Sequence, residues 1–234
     1  LFSILLIFRP STFVNQQKIE MVKKYDLIGA VLLNNIDLVK QLLNSDRAAE
    51  LVKVQDDREY GDQYTALHYA ALLGHEECCS LLLKYDVDLL FFKTEYGETP
   101  LHGAAYFGNT KVVEILINSK QGLECISMQN KYGQTVLHYA ANKGYTEIVE
   151  LLLAIKQGLD SICIKDEDGD TPLHFAANKG RTDTLKILLN TNEAFDALEM
   201  KNNYKRTPLE VAKKEKHKDI VALIKSFYKK KERK

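Results

Sequence analysis

Apolar residues recur along this chain in two alternating registers. In the first, Ile148, Val149, Leu151 and Leu152 stand at helical spacing with charged residues between them. Val112, Val113, Ile115 and Leu116 repeat the arrangement 36 residues earlier. A stripe of that period predicts a helix with one buried face. In the second register the runs are shorter, as in Leu173-His174-Phe175-Ala176-Ala177. The paired alanines are small enough for neighbouring helices to approach closely.

The punctuation between these runs is periodic too. The tetrapeptide Thr-x-Leu-His begins at Thr65, Thr99, Thr135 and Thr171, and its variant Thr-Pro-Leu-Glu at Thr207, at spacings of 34, 36, 36 and 36. A threonine hydroxyl there caps the first free amides of a helix, and Pro100, Pro172 and Pro208 take the first helical position, where no N–H is needed. Nine residues after the first four threonines come Gly74, Gly108, Gly144 and Gly180, which predict left-handed helix stops. Gly97, Gly133 and Gly169 precede the next threonine by two and predict tight turns. Each unit therefore reads as helix, turn, helix and hairpin.

A period near 33 carrying T-P-L-H-x-A resembles the ankyrin repeat family. The register holds over residues 65–224. It extends to an N-terminal unit in which Leu27, Leu38, Val39, Leu42 and Leu43 precede Leu67, Cys78, Cys79, Leu82 and Leu83 by forty residues. The expected fold is an all-α solenoid of about six stacked units over residues 25–228, with an N-terminal segment at 1–24 and a basic tail at 229–234. Segments such as Lys120-Gln121-Gly122-Leu123-Glu124 and Lys156-Gln157-Gly158-Leu159-Asp160 hold the excess over 33, predicting a longer second helix or a widened loop. Glu210, Lys216 and Lys205 replace the His and two Gly of the pattern and mark a polar end cap, as a solenoid needs. The hairpin of the first unit is undetermined, because a long acidic stretch, Asp56 to Asp62, follows it.

Composition changes little in this picture. With 45% hydrophobic and 27% charged residues in 234, the chain is an ordinary folded one. Its zero net charge hides an asymmetry: thirteen Lys/Arg stand against four Asp/Glu from Lys201 to Lys234, leaving the rest acidic. Such a distribution bears on partners and steering rather than on fold. The apolar start, Leu1 to Phe8, is too short to span a bilayer. It reads as an upstream fragment, a packed segment or a remnant of targeting information. Four cysteines do not make a disulfide scaffold, so reduced thiols in a cytoplasmic setting are expected. Export into a host cell is the alternative if the chain is a microbial effector.

Candidate chemistry is sparse. His68, His102, His138 and His174 recur at one repeat position, and equivalent positions in a solenoid lie about 10 Å apart, too far to share a metal. The family resemblance implies a structural role for them, bonded to threonine and neighbouring backbone. Cys78 and Cys79 stand in register with Val112 and Val113 and read as core; Cys125 and Cys163 fall in apolar stretches without zinc spacing. The run Asp166-Glu167-Asp168-Gly169-Asp170 lacks the glycine and distal carboxylate of a calcium loop, where Thr171 and Ala177 stand, and reads as a solvated acidic turn. No P-loop, nucleophile elbow or zinc-protease motif occurs. The expectation is a non-enzymatic monomer without metal or cofactor, working as a protein-binding scaffold rather than on nucleic acid or membrane.

By family resemblance, a partner meets the hairpin tips and the exposed ends of the first helices. The corresponding tip residues are Glu95, Tyr96 and Glu98; Lys131, Tyr132 and Gln134; Glu167, Asp168 and Asp170; and Asn203, Tyr204 and Arg206. The helix-end residues are Leu72, Leu73, Tyr106, Phe107, Asn142, Lys143, Asn178 and Lys179. Tyrosines at one tip position, with Tyr60 and Tyr64 nearby, suit an interface because they bury large area with few rotatable bonds. The competing reading is that they stack on adjacent tips. The basic run Lys229 to Lys234 leaves open an adaptor for nucleic acid or anionic membrane, and a targeting arm of a larger enzyme or secreted effector is a third alternative.

Overall fold

The computed structural model describes residues 26–58 and 62–231; the 1–24 segment, Tyr60 and the last three residues of the basic run lie outside them. Among the described residues every regular element is helical. The helices are α1 (Asp26–Leu32), α2 (Ile36–Leu43), α3 (Ala48–Leu51), α4 (Ala66–Leu73), α5 (Glu76–Tyr85), α6 (Pro100–Phe107), α7 (Thr110–Ile117), α8 (Val136–Lys143), α9 (Thr146–Leu153), α10 (Lys156–Asp160), α11 (Pro172–Asn178), α12 (Thr182–Leu189), α13 (Ala194–Glu199), α14 (Pro208–Lys214) and α15 (Lys218–Lys231). Short 3₁₀ turns occupy Val87–Phe91, Gly122–Cys125 and Ser161–Cys163.

Among the described residues, six helix pairs stack in two rows. The first helices α1, α4, α6, α8, α11 and α14 pack in succession, and the second helices α2, α5, α7, α9, α12 and α15 form a parallel outer row. The alanine pairs Ala70/Ala71, Ala104/Ala105, Ala140/Ala141 and Ala176/Ala177 are wholly buried in the inner row. The outer helices insert Val112, Val113, Leu116, Ile148, Val149 and Leu152 into one continuous core.

The inserted residues do not lengthen the second helices, which remain eight residues long in α7 and α9. They fold instead into an extra helical turn after each. Gly122 and Gly158 make this possible: a Cβ on either would stand 1.9 Å from the carbonyl oxygen of Leu116 or Leu152. The basic run is not a separate tail at its start, since α15 continues to Lys231.

Three hydrogen-bond positions recur; the first and third lock unit to unit, and the second holds each tip together. At the first, the Thr99 N–H donates to His102 Nδ1 at 3.2 Å, and His102 Nε2 donates to the Gln134 carbonyl of the next unit at 3.2 Å. His68, His138 and His174 do the same toward Glu98, Asp170 and Arg206. At the second, Thr94, Asn130, Asp166 and Asn202 each accept two amide N–H bonds across their own tip. At the third, a side chain of one unit caps the last carbonyls of the previous first helix: Asn109 on Ala71 and Leu72, Arg181 on Asn142, His217 on Asn178.

These positions correct one reading. Asp166 is 9% exposed and holds its turn from inside, so the acidic run is solvated at Glu167 and Asp168 but not at its first carboxylate. Asp56 does similar work in the first unit. It is fully buried, takes two bonds from the Arg58 guanidinium at 2.7 and 2.6 Å and one from the Tyr69 hydroxyl at 2.8 Å. Burial alone would raise its carboxyl, but these donors outweigh it and hold it below the ordinary carboxylate value.

Candidate partner-binding face

Each first helix begins at a hairpin tip and ends at its left-handed stop, so tips and helix ends form two rows. An eight-residue helix separates them by about 12 Å. Successive tips are joined by one main-chain bond each: Glu95 N–H to Asp62, Lys131 to Tyr96, Glu167 to Tyr132 and Asn203 to Asp168, all 2.9 Å. The bonds hold the tip residues in line without forming strands.

In the tip row Tyr96, Tyr132 and Tyr204 keep 41%, 48% and 64% of their surface. No ring of one stacks on another among the described residues; Arg206 instead covers Tyr204 at 5.8 Å. Glu95, Lys131, Asp168 and Asn203 are exposed, while Glu98, Gln134, Asp170 and Arg206 are half-buried. The half-buried set is engaged between units: Glu98 accepts from the Tyr139 hydroxyl, Gln134 donates to Asp166 at 3.4 Å, and Asp170 accepts from Asn202 at 2.7 Å.

In the helix-end row the polar half is open, with Asn178 and Lys179 exposed and Asn142 and Lys143 half-buried. The apolar half differs from expectation at one residue. Leu72 is 8% exposed and packs toward Gly103 of the next helix, so it belongs to the core rather than to an apolar strip. Leu73 is half-buried, and Tyr106 and Phe107 are exposed. Leu33, at the same position of the first unit, is 70% exposed and extends the strip. Asn34 follows it with a positive φ of 50°, as Gly74 follows Leu73; a stop built on Asn rather than Gly concealed that register in the sequence.

Around Tyr106 the structure assembles residues from two rows. Phe107 meets its ring at 5.0 Å and Tyr139 edge-on at 5.6 Å, and Lys143 Nζ lies 3.8 Å from its centroid. Burial first, then the neighbouring Glu98, pushes the Tyr139 phenol up, so it stays a hydrogen-bond donor.

The remaining reactive side chains are absorbed by the fold. Burial pushes the His68, His102 and His138 rings down to about 4, leaving neutral imidazoles with Nδ1 accepting and Nε2 donating. Burial likewise pushes the Cys125 thiol up to about 12 and raises those of Cys78, Cys79 and Cys163. Among the described residues there is no group of three or more His, Cys, Asp or Glu arranged to hold a metal. Nor is any described helix long and apolar enough to cross a membrane.

Stacked helix pairs, a threonine–histidine lock repeated from unit to unit and an exposed aromatic face define an α-solenoid of helical repeats. The family model described as ankyrin repeats (3 copies) matches residues 27–127, 92–162, 126–192 and 154–233. The chain belongs to the ankyrin repeat family. Among curated relatives it is 31% identical over 110 residues to mouse ankyrin repeat and SAM domain-containing protein 6, covering 47% of this chain and 12% of that one. It is 32% identical over 89 residues to the Caenorhabditis elegans transient receptor potential cation channel subfamily A member 1 homolog, covering 38% and 7%. It is 31% identical over 116 residues to mouse protein phosphatase 1 regulatory subunit 12A, covering 49% and 10%. The matches thus span about a tenth of the length of these relatives.

Proposed function

We propose that the chain is a non-catalytic scaffold that binds a protein partner across its hairpin tips and the ends of its first helices. One observation supports this most: large apolar and aromatic side chains stay exposed along that face. Leu33, Tyr96, Tyr106, Phe107, Tyr132 and Tyr204 are between 37% and 70% exposed, while the buried histidines and tip acceptors are spent on structure. Rings held on rigid elements lose little entropy when covered, which suits interface anchors. One relative is named a regulatory subunit of a phosphatase, which fits repeats that act by contact with another protein.

The test compares the intact chain with a Tyr106→Ala/Phe107→Ala variant in capture from lysate at low and high salt. A protein held by the intact chain at high salt and lost by the variant, at an unchanged melting temperature, is the expected result. Equal capture by both refutes the assigned face. Capture by both that disappears at high salt points instead to the basic end of α15.

A further inference from the structure

The fourth position of each first helix after its threonine carries Tyr69, Gly103, Tyr139, Phe175 and Val211 in successive units. Gly103 is the exception. Glycine in the middle of a helix is less favourable than alanine by about 1 kcal/mol, and nothing in the φ of Gly103 calls for it, since it is absent from the positive-φ residues. A Cβ there would meet only Leu72, at 3.9 Å, so the site has room for a side chain. In the next two units the ring at this position stands edge-on to the preceding histidine: His102 with Tyr139 at 5.9 Å, His138 with Phe175 at 5.5 Å. His68 receives its edge contact from Tyr64 instead, at 5.6 Å. The missing side chain therefore leaves a recess on the partner-facing side rather than a gap in the core.

Its surroundings are of one chemical kind. Tyr106 lies one helical turn on from Gly103 and contacts Tyr139, whose hydroxyl donates to Glu98. Tyr64 is half-buried, edge-on to His68 at 5.6 Å, and its phenol is pushed up first by burial and then by the charge of Glu98 and Asp62. Aromatic faces beside a carboxylate attract a cation through the ring quadrupole as well as by charge. The chain already makes that contact itself, since Lys143 Nζ sits over the Tyr106 ring at 3.8 Å.

We propose that the recess over Gly103, bounded by Tyr64, Tyr106 and Tyr139 with the Glu98 carboxylate, receives a lysine or arginine side chain of the partner. The proposal rests on the protein-binding reading above and assigns a chemistry to it. Lys143 then acts as an internal competitor that the incoming cation displaces.

The experiment is fluorescence anisotropy of the full chain with a labelled ten-residue peptide of alternating lysine and glycine, and with the same peptide carrying norleucine for lysine. Binding of the lysine peptide alone is expected. Gly103→Tyr supplies the side chain that the next unit carries, so it fills the recess while keeping the helix; it should weaken binding about tenfold, with Glu98→Gln weakening it to a similar degree. Lys143→Met should tighten it. Glu167→Gln/Asp168→Asn removes two charges from a more distant tip and should change it less than about twofold. No binding of the lysine peptide, equal binding of both peptides, or a distant-tip effect as large as that of Gly103→Tyr would each overturn the recess. Binding indifferent to Gly103→Tyr but abolished by Tyr106→Ala/Phe107→Ala overturns the recess and leaves the binding face standing.

Discussion

His174 and Glu210 occupy the same repeat position 36 residues apart, and the difference between them shows what interior units require. Both close a capping box, with the side chain three residues after the threonine reaching back to the threonine N–H. His174 has a second polar atom, which it spends on the Arg206 carbonyl of the following unit at 3.0 Å. Glu210, a one-ended acceptor, bonds the Thr207 N–H at 2.8 Å and is otherwise exposed. A two-ended side chain is needed only where a unit must hold both its own helix and its neighbour. The interior gains a unit-to-unit lock, and with it four buried imidazoles that must remain neutral.

The largest way to test this contrast is acid. The folded pKa of His68, His102 and His138 lies at about 4, below the ordinary value near 6.5, so the folded state binds fewer protons than the unfolded one in that interval. Their stabilisation is full above pH 6.5 and is lost as pH falls toward 4. At pH 5 each should cost about 2 kcal/mol, and the three together about 6 kcal/mol, comparable to the whole stability of many domains. Urea midpoints measured from pH 7 to pH 5 should fall steeply. Glu210, lowered chiefly by its Thr207 backbone bond, has the opposite linkage and loses its contribution only below the normal carboxylate range. A flat profile between pH 7 and 5 would contradict the neutral interior lock.

Core truncation sharpens the same comparison. Leu152→Ala empties a fully buried site of α9 and should cost about 2–5 kcal/mol by denaturant melt. Leu223→Ala, on the half-buried side of the end helix α15, should cost less than about 1.5 kcal/mol. Equal losses would mean that α15 is as tightly packed around Leu223 as α9 is around Leu152.

Removing the lock itself comes next. His102→Ala leaves the Thr99 amide and the Gln134 carbonyl without their partner and should cost about 3 kcal/mol, whereas Glu210→Ala removes one exposed cap and should cost about 1 kcal/mol or less. The smallest effect concerns the tips. Asp166 is raised mainly by burial, and Asn130 and Asn202 already hold the same place in neighbouring units. Asp166→Asn should therefore change stability at neutral pH by less than about 1 kcal/mol. A larger loss would show that its charge matters to the turn.

The readable part of this molecule was local. Thr65 and His68, or Thr207 and Glu210, are three residues apart, so spacing alone exposes the capping box and the helix it starts. The extra turns at Gly122 and Gly158 were partly legible: the insertion was evident, but its form depended on a glycine passing within contact of the Leu116 or Leu152 carbonyl. Leu72 could not be assigned from its register position, since its cover comes from the next unit, where it packs toward Gly103. The same holds for Asp56 and Asp166, whose burial follows from folding the tip back on itself.

The sequence by itself determined the repeat, its period and the helix starts and stops, because each of these rests on contacts within one turn of chain. The tertiary structure alone decided which of two adjacent leucines is covered and that the Tyr106 and Tyr139 rings of successive units meet. Those outcomes join residues some thirty to forty positions apart, as Glu98 and Tyr139 are, and distances between neighbouring units exist only once the stack has formed.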